Sequence, residues 1–225
     1  MTNLPPTIRI LEAYAGEYAS GKSELAINRS LHLRQQGRYV RLVDLDLVEP
    51  FYTLRPLKAR LQQAGLDVIA WETAETFGLG EAAIPLKKEA VDALDFPGDV
   101  ILDLGYGHQG RSVLRLINQT AQNIPRVFLV INTTRPLTAT SKDIIEFVHG
   151  FGKVDGLINN THLGGETTAD LVQTGVKIIA QASQDLGIPL IATAALRSIA
   201  EDIGPRDQLG YPVWPLARWM PDALW

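Results

Sequence analysis

The sequence predicts an α/β fold in three layers, a mainly parallel sheet flanked by helices, and two observations carry that expectation. Short apolar runs alternate along the chain with longer segments of helical period, the order that builds βαβ units. The runs are also close to continuous in Ile, Leu and Val, as strands covered on both faces must be.

In chain order, strand Ile8–Tyr14 leads into a helix at Lys22–Gln36, and strand Tyr39–Asp44 into a helix at Leu54–Ala64. Strand Asp67–Trp71 is followed by Glu72–Ile84, which carries Gly78 and Gly80 and reads equally as a loop or a short helix. A helix at Pro85–Leu94 precedes strand Val100–Leu104, and Ser112–Asn123 is the helix after it. Strands Arg126–Ile131, Gly156–Asn159 and Pro189–Ala192 alternate with helices Ser141–Gly150 and Thr168–Leu186, and a short helix lies near Leu196–Ile203. Gly37, Gly65 and Gly187 fall where helix ends turn left-handed. From about residue 211 a tail holds Trp214, Trp219 and Trp225 among Pro212, Pro215 and Pro221, and docking by burial of aromatic area is expected of it.

At 225 residues, with 46% apolar and 20% charged residues and no repeat or polar linker, residues 1–225 read as one domain. The absence of cysteine excludes disulfides, thiolate metal ligands, an iron–sulfur cluster of its own and a cysteine nucleophile. The formal charge is −4 and no Lys/Arg run occurs, so no direct nucleic-acid binding is expected. No apolar window approaches eighteen residues and no leader pattern opens the chain, which makes a cytoplasmic protein the expectation. The tail's one basic residue, Arg218, and its helix-breaking prolines argue against membrane contact.

The chemistry begins after the first strand. Gly16-Glu17-Tyr18-Ala19-Ser20-Gly21-Lys22-Ser23, followed by Glu24 and a helix, satisfies G-x-x-x-x-G-K-[ST] in its strand–loop–helix setting, and Gly16 to Glu24 are candidate nucleotide-binding residues. Glycines let the backbone wrap phosphates, and amides and dipole at the helix start favour an anion. Lys22 is suited to bridge terminal phosphates, and the Ser23 hydroxyl to meet Mg²⁺, a hard ion that takes oxygen ligands. A second strand ends in Asp44-Leu45-Asp46, two carboxylates leaving on one side. A third ends in Asp103-Leu104-Gly105, as a Walker B element does. Strand ends of an open α/β sheet face the ligand, so Asp44, Asp46 and Asp103 are expected to converge near Ser23. Singly, each such Asp also serves as a turn former.

On these residues the chain resembles the MinD/ParA-type, SIMIBI-class branch of P-loop NTPases, the CobQ/CobB/MinD/ParA nucleotide-binding domain family. Gly16–Ser23 matches its P-loop, Asp44-x-Asp46 its switch I, Asp103 with Gly105 its switch II, and Gly156–Asn160 its late strand. The resemblance implies a three-layer P-loop NTPase fold, ATP and Mg²⁺ as cofactors, and Asp46 as the residue that orients the attacking water. It implies that Asp44 supports Mg²⁺ or its waters together with Ser23 and Asp103, and that Asn160 reads the adenine edge, with Asn159 the alternative. An amide's donor and acceptor suit adenine. The branch's signature lysine after the first glycine is here Glu17, so ATP-dependent dimerisation through a trans-acting lysine does not carry over. Arg55 or Arg111 is a candidate to compensate as an arginine finger.

The expected function is therefore a Mg²⁺-dependent ATPase acting as a nucleotide-dependent switch or assembly factor, with an unidentified protein partner at Asp46–Arg55 and Gly105–Arg111 and a homodimer left open. The alternatives are an ATP-dependent small-molecule ligase or kinase of dethiobiotin-synthetase type, and a non-hydrolysing nucleotide-binding interaction protein.

Overall fold

The computed structural model describes residues 8–46, 54–70, 92–120 and 124–220. The expected irregular segment Glu72–Ile84 lies outside them, as do most of the expected helix at Pro85–Leu94 and residues 47–53 of the switch I-like segment.

Strands β1 (Leu11–Gly16), β2 (Val40–Leu45), β3 (Asp67–Ile69), β4 (Asp99–Leu104), β5 (Arg126–Ile131), β6 (Gly156–Asn159), β7 (Leu190–Leu196) and β8 (Val213–Leu216) form one sheet in the order β3-β2-β4-β1-β5-β6-β7-β8. Every neighbouring pair is parallel. Among the described residues the helices are α1 (Lys22–Gln35), α2 (Lys58–Gln63), α3 (Gly107–Thr120), α4 (Ser141–Phe151), α5 (Ala169–Leu186) and α6 (Arg197–Ile203).

Both faces of the sheet are covered by buried apolar side chains. Leu102, Leu104, Leu129 and Ile131 pack with Ile144, Val148, Val176 and Ile179 from α4 and α5. On the other face Tyr14, Leu42, Ile101 and Val130 pack with Leu25, Ile27 and Leu33 of α1 and Leu61 of α2. Each side chain of this size stabilises the fold by about 1.5–3 kcal/mol when fully buried. Double coverage is why the strands read as continuous apolar runs. Strands β2 to β4 lie on one side of β1 and β5 to β8 on the other, so the chain changes direction at β1, and the carboxyl end of that strand is where an α/β sheet opens a crevice.

Several boundaries differ from the sequence reading. The helix expected at Leu54–Ala64 is a 3-10 turn at Arg55–Leu57 followed by α2. The first strand starts at Leu11 because Ile8 is solvent-exposed. The helix expected from Ser112 begins at Gly107, whose positive φ turns the chain straight out of β4. β7 runs on to Leu196 because β8 pairs along its length, from Thr193↔Val213 to Leu196↔Leu216. The tail, expected only to dock, supplies that eighth strand. Pro215 hid it, since proline cannot complete a ladder on both sides; at the sheet edge its missing donor does no harm.

Candidate functional site

The loop from β1 to α1 is fixed by close packing. A Cβ on Gly16 would fall 2.3 Å from Ser20 Oγ and 2.6 Å from Val130 O, so the position accepts only glycine. Gly21 has φ +84°, and a Cβ there would lie 2.2 Å from Asn160 Nδ2. Ala19 is held left-handed at φ 54°, at a cost of about 1–2 kcal/mol that a non-glycine residue bears only where its surroundings impose it. Gly21 precedes α1 as its cap and supplies no side-chain hydrogen bond, which leaves the helix's first amides to an anion. The Ser20 hydroxyl is buried with no hydrogen-bond partner.

Lys22 meets the carboxylates at this end of the sheet. Its Nζ lies 3.2 Å from Asp46 Oδ2. Burial pulls its pKa down, but Asp103, Asp46 and Asp44 outweigh burial and the net shift is upward. Asp44 and Asp103 are register partners on β2 and β4, and the Asp46 amide donates to Asp44 Oδ1 at 3.0 Å. Burial, then the charges of Asp103 and Asp46, push Asp44 up to about 7. Burial likewise lifts Asp103 to about 6, with Lys22 and the Ser23 hydroxyl opposing. The sequence-derived set Lys22, Ser23, Asp44, Asp46 and Asp103 is thus gathered in one place.

Whether a cation fits follows from the oxygens. Asp44 Oδ2 and the Asp103 carboxylate are buried, the latter offset only by the Ser23 hydroxyl and the charge of Lys22, and with the Ser23 hydroxyl they make an all-oxygen donor set of the kind Mg²⁺ prefers. Among the described residues no group of three or more His, Asp or Glu side chains stands ready to hold a metal alone. These residues fit an ion that takes its remaining ligands from phosphate and water.

Glu17 turns away from this centre. Its carboxylate accepts from Thr138 Oγ1 at 3.2 Å and from the Leu137 amide at 3.4 Å, across β1 and β5. Tyr18 stacks edge-on with Tyr106, ring centroids 5.8 Å apart. The finger candidates are both engaged: Arg55 Nη2 donates to the Asp46 carbonyl at 3.2 Å, and Arg111 Nη1 to the Gly150 carbonyl at 2.8 Å. Gly105 sits against Asp46, a Cβ on it falling 3.3 Å from Asp46 Oδ1.

A second region adjoins the loop on the far side of Gly21. Gly21, Glu24, Asn160, Thr161, His162, Ala195, Leu196 and Arg218 are among the residues lining a small pocket there. Asn160 Nδ2 donates to the Ser20 carbonyl at 2.8 Å, which ties the late strand to the loop. Asn159 is the structural one of the pair: its amide bonds the Val172 carbonyl and Thr193 Oγ1 in the core. Glu24 accepts from the amides of Trp219 and Met220, so its side chain holds the tail. His162 and Arg218 escaped the sequence reading of the site. His162 is recruited by Asn132, whose Oδ1 accepts from the His162 amide at 3.2 Å; burial, then Arg135, lower its pKa to about 4. Neither residue lies in a motif.

No protein-family model and no curated protein matches the sequence. Solved structures match it in fold. Cell division protein FtsY from Thermotoga maritima has a TM-score of 0.57 and 19% identity over 87% of this chain and 64% of its own. Signal recognition particle receptor FtsY from Elizabethkingia anophelis, in complex with GDP, has a TM-score of 0.54 and 15% identity over 86% and 59%. Chloroplast FtsY from Physcomitrella patens has 0.56 and 18% over 84% and 60%. The chain spans about three fifths of the length of these structures. The likeness is one of fold, the three-layer P-loop NTPase arrangement, and it does not single out the MinD/ParA branch.

Proposed function

We propose that this protein binds a nucleoside triphosphate with Mg²⁺ and hydrolyses it, as a nucleotide-dependent switch of the MinD/ParA type with ATP as its nucleotide. The observation that carries the reading is the meeting of Lys22 with Asp44, Asp46 and Asp103 beneath a loop whose glycines and uncapped helix start suit phosphate.

Gly16–Ser23 and the first amides of α1 bind the phosphates, and Lys22 exchanges Asp46 for the terminal phosphate oxygens. Ser23, Asp44 and Asp103 hold Mg²⁺ or its waters; when bound, the ion draws charge from the phosphates as the terminal phosphorus is attacked. Asp46, relieved of Lys22, orients the water and accepts its proton. Charge stabilisation and positioning then lower the barrier. Asn160 borders the base site. Adenine is favoured by the Asn160 amide at this pocket, whose donor and acceptor suit the adenine edge. Residues 1–225 act as one nucleotide-binding domain, and a protein partner reads the segments after Asp46 and Gly105. Glu17 leaves the dimer route of the branch without its lysine, so turnover depends on that partner.

The test is thermal unfolding with Mg²⁺ and ATP, ADP, GTP or no nucleotide. ATP at 100 times its Kd adds about 2.7 kcal/mol, a Tm rise of roughly 5–10 °C at this length. A smaller rise with GTP supports the adenine assignment, and no rise with any nucleotide defeats the proposal.

A further inference from the structure

The segment after β8 is clamped to the loop's own helix. Asn28 of α1 exchanges two hydrogen bonds with the backbone of Ala217, donating to its carbonyl at 2.9 Å and accepting from its amide at 2.8 Å. One turn nearer the phosphate loop, Glu24 accepts from the Trp219 and Met220 amides. Arg60 of α2 lies over the Trp219 ring at 4.2 Å, and Met220 is buried in the core. Residue 218 is thereby pinned from both sides, and it lines the pocket bordered by Asn160.

We infer that Arg218 is a nucleobase-binding residue, presented to the base half of the nucleotide by this clamped segment. The inference rests on the nucleotide reading above. The pocket shares only Gly21 with the phosphate loop, and none of Lys22, Ser23, Asp44, Asp46 or Asp103 lines it. The field of Arg218 is felt by Glu24 and His162, both in the pocket, whereas Lys22, Asp44 and Asp103 answer to one another, to Asp46 and, for Asp44, to Arg55. A guanidinium here has a planar face for stacking on a base and donors for its ring nitrogens. Ala194, Ala195, Leu196 and Leu216 give the pocket the apolar wall that a base needs. Glu24 and Asn28 are positioning residues: they hold the segment and leave contact with the nucleotide to Arg218.

The experiment compares Kd for Mg²⁺-ATP with Kd for Mg²⁺-tripolyphosphate, which has the phosphates and no base, using the full chain as wild type, Arg218→Ala, Arg218→Lys and Asn28→Ala. Circular dichroism checks that each variant is folded. Arg218→Ala is expected to weaken ATP about tenfold and to leave tripolyphosphate within twofold. Arg218→Lys, charged but without the plane, recovers only part of the loss. Asn28→Ala, which frees Ala217 and removes no pocket group, reproduces part of the same base-dependent loss. Equal weakening of both ligands by Arg218→Ala, or unchanged ATP binding, overturns the assignment. A wild type that binds tripolyphosphate but gains nothing from the base overturns it while sparing the phosphate site; one that binds neither ligand overturns the nucleotide reading and this inference with it.

Discussion

Lys22 Nζ stands 3.2 Å from Asp46 Oδ2, with side-chain exposures of 11% and 2%. The cation suited to phosphate and the carboxylate suited to water neutralise each other across the loop, and a triphosphate would have to part them. Breaking a buried pair by removing one partner costs about 3–5 kcal/mol, because the other charge is left stranded.

Lys22→Ala is therefore expected to lower stability without nucleotide by a few kcal/mol, about 10 °C in Tm, and to abolish the thermal shift with Mg²⁺-ATP. Calorimetry with and without ATP checks both. A variant as stable as the wild type would show that the ion pair is energetically idle.

Asp103→Asn should act in opposite directions on the two states. Its carboxylate is buried, and burial outweighs the help of Lys22 and the Ser23 hydroxyl, so exchanging charge for amide is expected to raise stability in EDTA by about 1 kcal/mol. The same change removes an oxygen donor from the proposed cation site, so the extra stabilisation that Mg²⁺ adds to ATP should shrink or vanish. Melting curves in EDTA and in Mg²⁺-ATP read the two effects separately.

Gly21→Ala brings a methyl group within 2.2 Å of Asn160 Nδ2 at φ +84°. The Asn160–Ser20 hydrogen bond has to give, and the left-handed backbone adds about 1–2 kcal/mol. Destabilisation of roughly 2–3 kcal/mol and loss of the ATP-dependent shift are expected, measured by urea unfolding and by titration.

Glu17→Ala removes two hydrogen bonds on the side of the loop facing away from Lys22. The expected cost is about 1 kcal/mol of stability, with Kd for Mg²⁺-ATP changed less than threefold. A large change in Kd would place Glu17 in the phosphate site after all.

His162 sets a pH dependence. Its pKa falls from 6.5 to about 4 in the folded chain, through burial first and the charge of Arg135 second. Between those values the unfolded chain binds the proton and the native one does not, so stability falls as pH drops from 6.5 towards 4, by up to about 3 kcal/mol. His162→Gln should flatten that part of the curve, and the difference between wild type and variant in urea unfolding from pH 4.5 to 7 measures it.

The sequence made the loop and the carboxyl end of the sheet legible because their information is local. Gly16, Gly21, Lys22 and Ser23 sit at fixed spacing in one turn, and Asp44, Asp46 and Asp103 mark the carboxyl ends of strands whose apolar runs announce them. Asn160 and Asn159 could not be separated that way. Adjacent residues at a strand end point to opposite sides, and only pairing with β7 and α5 puts Asn159 in the core and Asn160 on the loop.

By itself, then, the sequence determined the α/β architecture, the strand–loop–helix unit and the set Lys22, Asp44, Asp46 and Asp103 that gathers at its mouth, since backbone conformation and strand burial follow from short-range pattern. Tertiary structure alone decided which way Glu17 faces, that Val213–Leu216 closes the sheet edge, and that Asn28 and Glu24 hold Arg218 beside the pocket. Those contacts join residues up to 196 positions apart. Their hydrogen bonds are selected by packing of the whole sheet, and no local propensity encodes them.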